Sequence, residues 1–280
     1  MLPVRKPSLF KCTLPLALLL AMLASSAHAD EVAEKGRPIW KQHQGAVVTV
    51  QIVVKSKLSM SGRAAQANET RQNLTGTIVD PSGLTVLSLS TLDPGAMVQS
   101  MMSDDIKMET EISDVKILLE DGAEVAAEVV LRDRDLDLGF VRPKASDTKF
   151  QALDLANAGK AEVLDQVISL NRLGNAAGRA YSASVERISA IVQRPRLFYI
   201  PDANMTTTSL GSPAFTLDGK VLGVFVMRTL KGRGTSGGMF STQTDNVTGI
   251  IVPAEYVLKA AKQAPASAPA EEKKADPEQK

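Results

Sequence analysis

From Ala46 onward, short runs of Val, Ile and Leu alternate with clusters of Asp, Pro, Ser and Gly. That rhythm predicts strands joined by tight turns rather than long helices. Ala46 to Val54 is a first strand, and Leu74 to Val79 a second that runs into the turn Asp80-Pro81-Ser82-Gly83. Leu84 to Leu89 follows. Val115 to Leu119 and Val125 to Val130 flank Glu120-Asp121-Gly122, a hairpin by its Asp-Gly pair. Leu136 to Val141 is stopped by Pro143, and the polar stretch Lys144 to Lys149 joins two halves.

The second half repeats the style. Strands are predicted at Val167 to Leu170, Ser182 to Val192, Leu197 to Ile200, Val221 to Met227 and Gly249 to Val252. In Pro253 to Ala261, Val257, Leu258 and Ala261 are spaced for one helix face, with the proline at its start. Many short strands with one late helix indicate a β-sandwich or a pair of barrels, and the pattern alone does not choose.

The two ends read differently. Arg5, Lys6 and Lys11, the apolar stretch Leu14 to Leu23 and the small-residue site Ala27-His28-Ala29 form a secretory signal peptide over residues 1–29. The apolar stretch falls short of the ~20 residues that span a bilayer, so no stable membrane anchor is expected. Export to the periplasm or the extracellular space follows. Cys12 leaves with the signal, and no disulfide is expected in the remainder. Residues 30–44 form an N-terminal leader. Residues 263–280, built of Ala, Pro, Glu and Lys, form a disordered tail.

Charge excludes one class of partner. Taking Arg5, Lys6 and Lys11 from 32 basic residues leaves 29 against 31 Asp and Glu, with no basic stripe, so nucleic-acid binding is not expected. Asn-x-Thr triplets begin at Asn68, Asn73, Asn204 and Asn246, and they matter only where the host glycosylates secreted proteins.

The segment Asp202 to Pro213, D-A-N-M-T-T-T-S-L-G-S-P, with Asp218-Gly219 and Val221 to Val226 behind it, resembles the nucleophile segment of trypsin-like serine proteases of the high-temperature-requirement (HtrA) type. Gly76 to Ser90, Val115 to Val141 and Gly249 to Ala260 resemble further segments of that family, in the same order. The resemblance implies an all-β fold of two six-stranded antiparallel barrels, residues 45–143 and 144–262, with a short C-terminal helix; a PDZ domain often follows in that family, and none is expected in the residues that remain here.

Transferred by this resemblance, the catalytic base falls on Ser90, the carboxylate on Asp137 and the nucleophile on Leu210. Thr208 takes the place of the glycine that supports the oxyanion hole. An alcohol cannot act as a general base near neutrality, and leucine has no atom to attack with. The resemblance is thus to an inactive member, a pseudoprotease. Candidate rescue nucleophiles are Ser209, one residue off, and Ser236 in the Gly-rich loop Gly234 to Gly238. His43 is the one histidine after the signal and reads as an exposed residue of the leader. Ser212 reads as a turn residue. No cofactor is implied.

Three functions remain open. One is a binding or structural module for a peptide or protein. The second is an active serine endopeptidase with an atypical arrangement. The third is a periplasmic metal-binding protein that uses Met97, Met101, Met102 and Met108, clustered in the insertion Asp93 to Ser113, as thioether ligands for Cu(I).

Overall fold

The computed structural model describes residues 27–60, 63–95, 106–144, 148–202, 209–229 and 247–266. Six strands make the first barrel: β1 (Val47–Met60), β2 (Arg63–Ile78), β3 (Thr85–Ser88), β4 (Ile106–Leu118), β5 (Glu124–Asp133) and β6 (Leu138–Pro143). It closes in the order β1-β2-β3-β6-β5-β4. The second holds β7 (Gln166–Arg172), β8 (Tyr181–Val192), β9 (Phe198–Pro201), β10 (Pro213–Thr216), β11 (Val221–Thr229) and β12 (Val247–Pro253), closed as β10-β11-β12-β9-β8-β7. Every adjacent pair is antiparallel. The chain is therefore a double β-barrel, closed by a short C-terminal helix.

Period-two patterning builds the first core. Val48, Val50, Ile52 and Val54 alternate along β1 and pack inward with Ile78, Leu87, Ile117 and Val141. Inside the second barrel Val167, Ile188, Leu222, Phe225 and Ile251 form a smaller cluster. The largest cluster joins the barrels, with Val47, Leu138 and Phe140 meeting Ile168, Phe215, Val224 and Val252.

The turns follow their residues. Gly83 takes φ 91, where its N–H reaches the Asp80 carbonyl at 2.9 Å while the Asp80 side chain accepts from the Ser82 N–H at 2.8 Å. Gly122 and Gly219 lie in the same left-handed region in their hairpins.

Several elements differ from the sequence reading. The leader is helical: α1 spans Ala27–His43, takes in the last residues assigned to the signal peptide, and contains Pro38. Ile39 is buried in the joint cluster and Gly36 lies against Ile168, so α1 is strapped to β7. β1, β2 and β4 run much further than their apolar runs, because polar residues pair as well as apolar ones once a ladder exists. The supposed insertion Asp93 to Ser113 accordingly contributes Ile106–Ser113 to β4. β10 has no counterpart in the sequence reading. A short helix, α2 (Leu89–Leu92), follows β3. The closing helix, α3 (Ala254–Ala261), buries Ala254, Val257 and Ala260.

Candidate functional site

Asp137 closes the turn between β5 and β6. The Asp133 carboxylate accepts from the N–H groups of Asp135 (3.0 Å) and Leu136 (3.1 Å), an arrangement that reverses the chain. Asp137 then adopts φ 56, a region that Asp tolerates better than most residues. This carries its side chain inward, toward the end of β3. Gly139, next but one, leaves room for α2, since a Cβ there would lie 2.6 Å from the Leu92 side chain.

Four donors then surround one carboxylate. Asp137 Oδ1 accepts from the Ser90 N–H at 2.8 Å and from Ser90 Oγ at 2.6 Å. Oδ2 accepts from Ser88 Oγ and from the Met227 N–H at 3.0 Å. Ser88 ends β3, Ser90 sits in α2, and Met227 belongs to β11 of the other barrel, so the carboxylate ties the two barrels together. Burial pushes the carboxyl above its ordinary value, while the hydrogen bonds from Ser88, Ser90 and Met227 pull against that rise.

Leu210 lies on the turn Ser209 to Gly211 and is 1% exposed. The turn is pinned on both sides. The Gly211 N–H donates to the Phe225 carbonyl at 2.8 Å, and Thr77 Oγ1 donates to the Gly211 carbonyl at 2.7 Å. A Cβ on Gly211, which has φ 90, would meet the Thr75 carbonyl oxygen at 2.1 Å, so only glycine fits. Phe225 and Met227, the anchors of this turn and of Asp137, are two residues apart on β11. A strand sets such positions roughly 7 Å apart. Ser90 and Asp137 are thus in contact, and the Leu210 turn is held on the neighbouring stretch of the same strand.

The chemistry open to this cluster is narrow. Ser90 Oγ already donates to a carboxylate, and an alcohol–carboxylate pair generates no alkoxide near neutrality. His43 is not among the three residues that donate to Asp137. Contrary to the reading as an exposed leader residue, it ends α1 half-buried, its ring stacked on Phe215 with centroids 4.9 Å apart. Burial lowers its pKa.

The other candidates fall as follows. Ser209 is half-buried at the start of the turn. Ser212 is more than a turn residue: it is fully buried, and its Oγ has no hydrogen-bond partner among the described residues. Thr208, Ser236, Met97, Met101 and Met102 lie outside the described residues. Met108 is in β4 opposite Leu58, and its side chain is not among those described. Among the described residues no group of three or more His, Cys, Asp or Glu side chains could hold a metal ion, and no helix is long and apolar enough to cross a membrane.

Sequence reasoning missed Ser88 and the rest of the seam. Ser88 precedes Ser90 by two, a spacing that could have flagged it. Thr75 Oγ1 donates to Asn171 Oδ1 at 3.0 Å across the barrels. Arg172, 6% exposed, reaches the carbonyls of Leu118 and Leu119 at 3.4 Å and lies over the Tyr181 ring. Nothing in the local pattern marked Thr75, Asn171 or Arg172, since each has a partner in the opposite barrel.

A family model described as a trypsin-like peptidase domain matches residues 39–224. That span runs from the end of α1 to the middle of β11 and includes Ser90, Asp137 and Leu210. No curated protein matches the chain.

Proposed function

The chain belongs to the trypsin-like peptidase domain family, and from that premise we propose that it is an exported, proteolytically inactive member serving as a binding or structural module for a peptide or protein. The observation that carries this reading is the state of the three positions the family motifs assign to catalysis. The would-be base is Ser90, whose hydroxyl is spent on Asp137, and the would-be nucleophile is a leucine that is 1% exposed. Proton transfer and nucleophilic attack both lack their agent.

The order of the family-like segments favours the HtrA type, and the basic, apolar and small-residue parts of residues 1–29 favour export. The burial of Leu210 gives this reading a further content. The former nucleophile position is filled by protein, so a partner is met elsewhere on the barrels. The retained carboxylate serves architecture: with no imidazole to orient, it holds Ser88, Ser90 and Met227.

The test is hydrolysis of an unfolded protein substrate by the purified protein, with an active trypsin-like enzyme as positive control. No cleavage over the control's background supports the proposal. Cleavage that tracks the protein through purification, and disappears on Ser209→Ala or Ser236→Ala, establishes the atypical endopeptidase instead.

A further inference from the structure

Three strands of the first barrel outrun it. β1 pairs with β2 from Val47↔Thr77 to Met60↔Arg63, and with β4 from Thr49↔Leu118 to Met60↔Ile106. On its other side β2 pairs with β3 only at Thr77 and Ile78, and β4 with β5 only from Lys116 to Leu118. What remains is a three-stranded arm whose two outer edges have no strand beside them among the described residues. Such edges present unpaired N–H and C=O groups and template further pairing unless they are blunted.

The two edges are not alike. β4 carries Glu109, Glu111 and Asp114 along its edge, and its pairing with β1 shifts register between Val53 and Val54. Both features discourage another strand: like charges repel, and a bulge bends the ladder. β2 has neither defence. Its register with β1 runs unbroken from Thr77 back to Gln66, and it contains no proline. Asn68, Glu69, Thr70 and Arg71 are exposed, and neither Glu69 nor Arg71 enters an ion pair among the described residues.

The order of these side chains is self-complementary. Two β2 strands set antiparallel about a two-fold axis at Thr70 place Glu69 of each opposite Arg71 of the other, and Asn68 opposite Gln72. Opposite charges directly across an antiparallel pair are favourable, and the two-fold supplies the contact twice. We propose that the outer edge of β2 is a self-association surface, through which two copies of this chain join their arms into one continuous six-stranded sheet centred on Thr70.

Charge exchange tests this directly. Sedimentation equilibrium on the purified protein should show a concentration-dependent dimer. Glu69→Arg and Arg71→Glu should each weaken the dimer by at least about tenfold, because each sets like charges face to face twice. An equimolar mixture of the two variants should restore dimerisation, since one then offers two arginines where the other offers two glutamates. Should either variant fail to fold, Thr70→Lys, which sets two lysines together at the axis, gives the same readout. A wild type that stays monomeric at its highest soluble concentration overturns the proposal. So does a dimer indifferent to these changes, one broken instead by Glu109→Lys on β4, or a mixture that stays monomeric.

Discussion

Leu210→Ala separates a filled site from an open cleft. The side chain is 1% exposed, and its turn is held by the Gly211 bonds to Phe225 and from Thr77, while Gly211 itself abuts the Thr75 backbone. A turn pinned in this way relaxes only in part into the space that the truncation leaves. The cost therefore belongs in the middle of the range for buried leucines, about 3–4 kcal/mol. For a fold of this size each kcal/mol moves the thermal midpoint by about 2–4 °C, so a drop of about 6–16 °C is expected. The assay is a thermal melt followed by far-ultraviolet circular dichroism, with urea unfolding as a check on two-state behaviour. Leu210→Met, which conserves volume, should cost less than about 1.5 kcal/mol. Leu210→Ser should fall below Leu210→Ala, because it also buries a hydroxyl. A midpoint within about 2 °C of the wild type for Leu210→Ala would refute the reasoning: the leucine would then contribute no packing, and its turn would be free to meet a ligand.

Ser88→Ala removes one of the two hydroxyl donors to the buried carboxylate, and should cost about 1.5–3 kcal/mol in urea unfolding at neutral pH; no change would mean that Asp137 finds another donor. The pH dependence of stability carries the sign of Asp137: its folded pKa is raised above the ordinary 3.8, so its stabilising contribution is complete below that value and is lost as pH rises through the folded one. Relative to an Asp137→Asn variant, wild-type stability should thus fall as pH rises across that window, whereas a rise would show that the four hydrogen bonds outweigh burial. Ser212→Ala deletes a buried hydroxyl that has no partner among the described residues, and should stabilise the protein by about 1 kcal/mol, raising the thermal midpoint; a lowered midpoint would reveal a hydrogen bond lost with the hydroxyl.

What the sequence made legible, and what it hid, divides along physical lines. Turns were readable because Asp-Gly and Asp-Pro-Ser-Gly dictate backbone angles locally: Gly83, Gly122 and Gly219 all adopt positive φ. Strands facing a core were readable where Val and Ile alternate, as along Val48, Val50, Ile52 and Val54. The arm was not, because Arg63 to Asn73 has no apolar alternation and is held by the β1 ladder instead. The helix α1 was hidden by its polarity and by Pro38, and its burial at Ile39 depends on the second barrel. β10, four residues beginning with a proline, is too short to announce itself. At the site, the family motifs brought out Ser90, Asp137 and Leu210. They could not say whether Leu210 was exposed or buried, since that depends on how the turn is clamped between β2 and β11. Ser88 was marked only by its spacing from Ser90, and Arg172, which reaches the Leu118 and Leu119 carbonyls of the other barrel, by no local pattern at all.

The most direct measurement for the central claim is labelling of the purified protein with a fluorophosphonate probe, with adducts mapped to single residues by mass spectrometry. A serine is labelled only where a base and an oxyanion site have activated it. The account predicts no adduct at any serine under conditions that label an active trypsin-like enzyme completely. A stoichiometric adduct at Ser209, Ser236 or Ser90, lost when that residue is changed to alanine, would contradict it and make this chain a working protease.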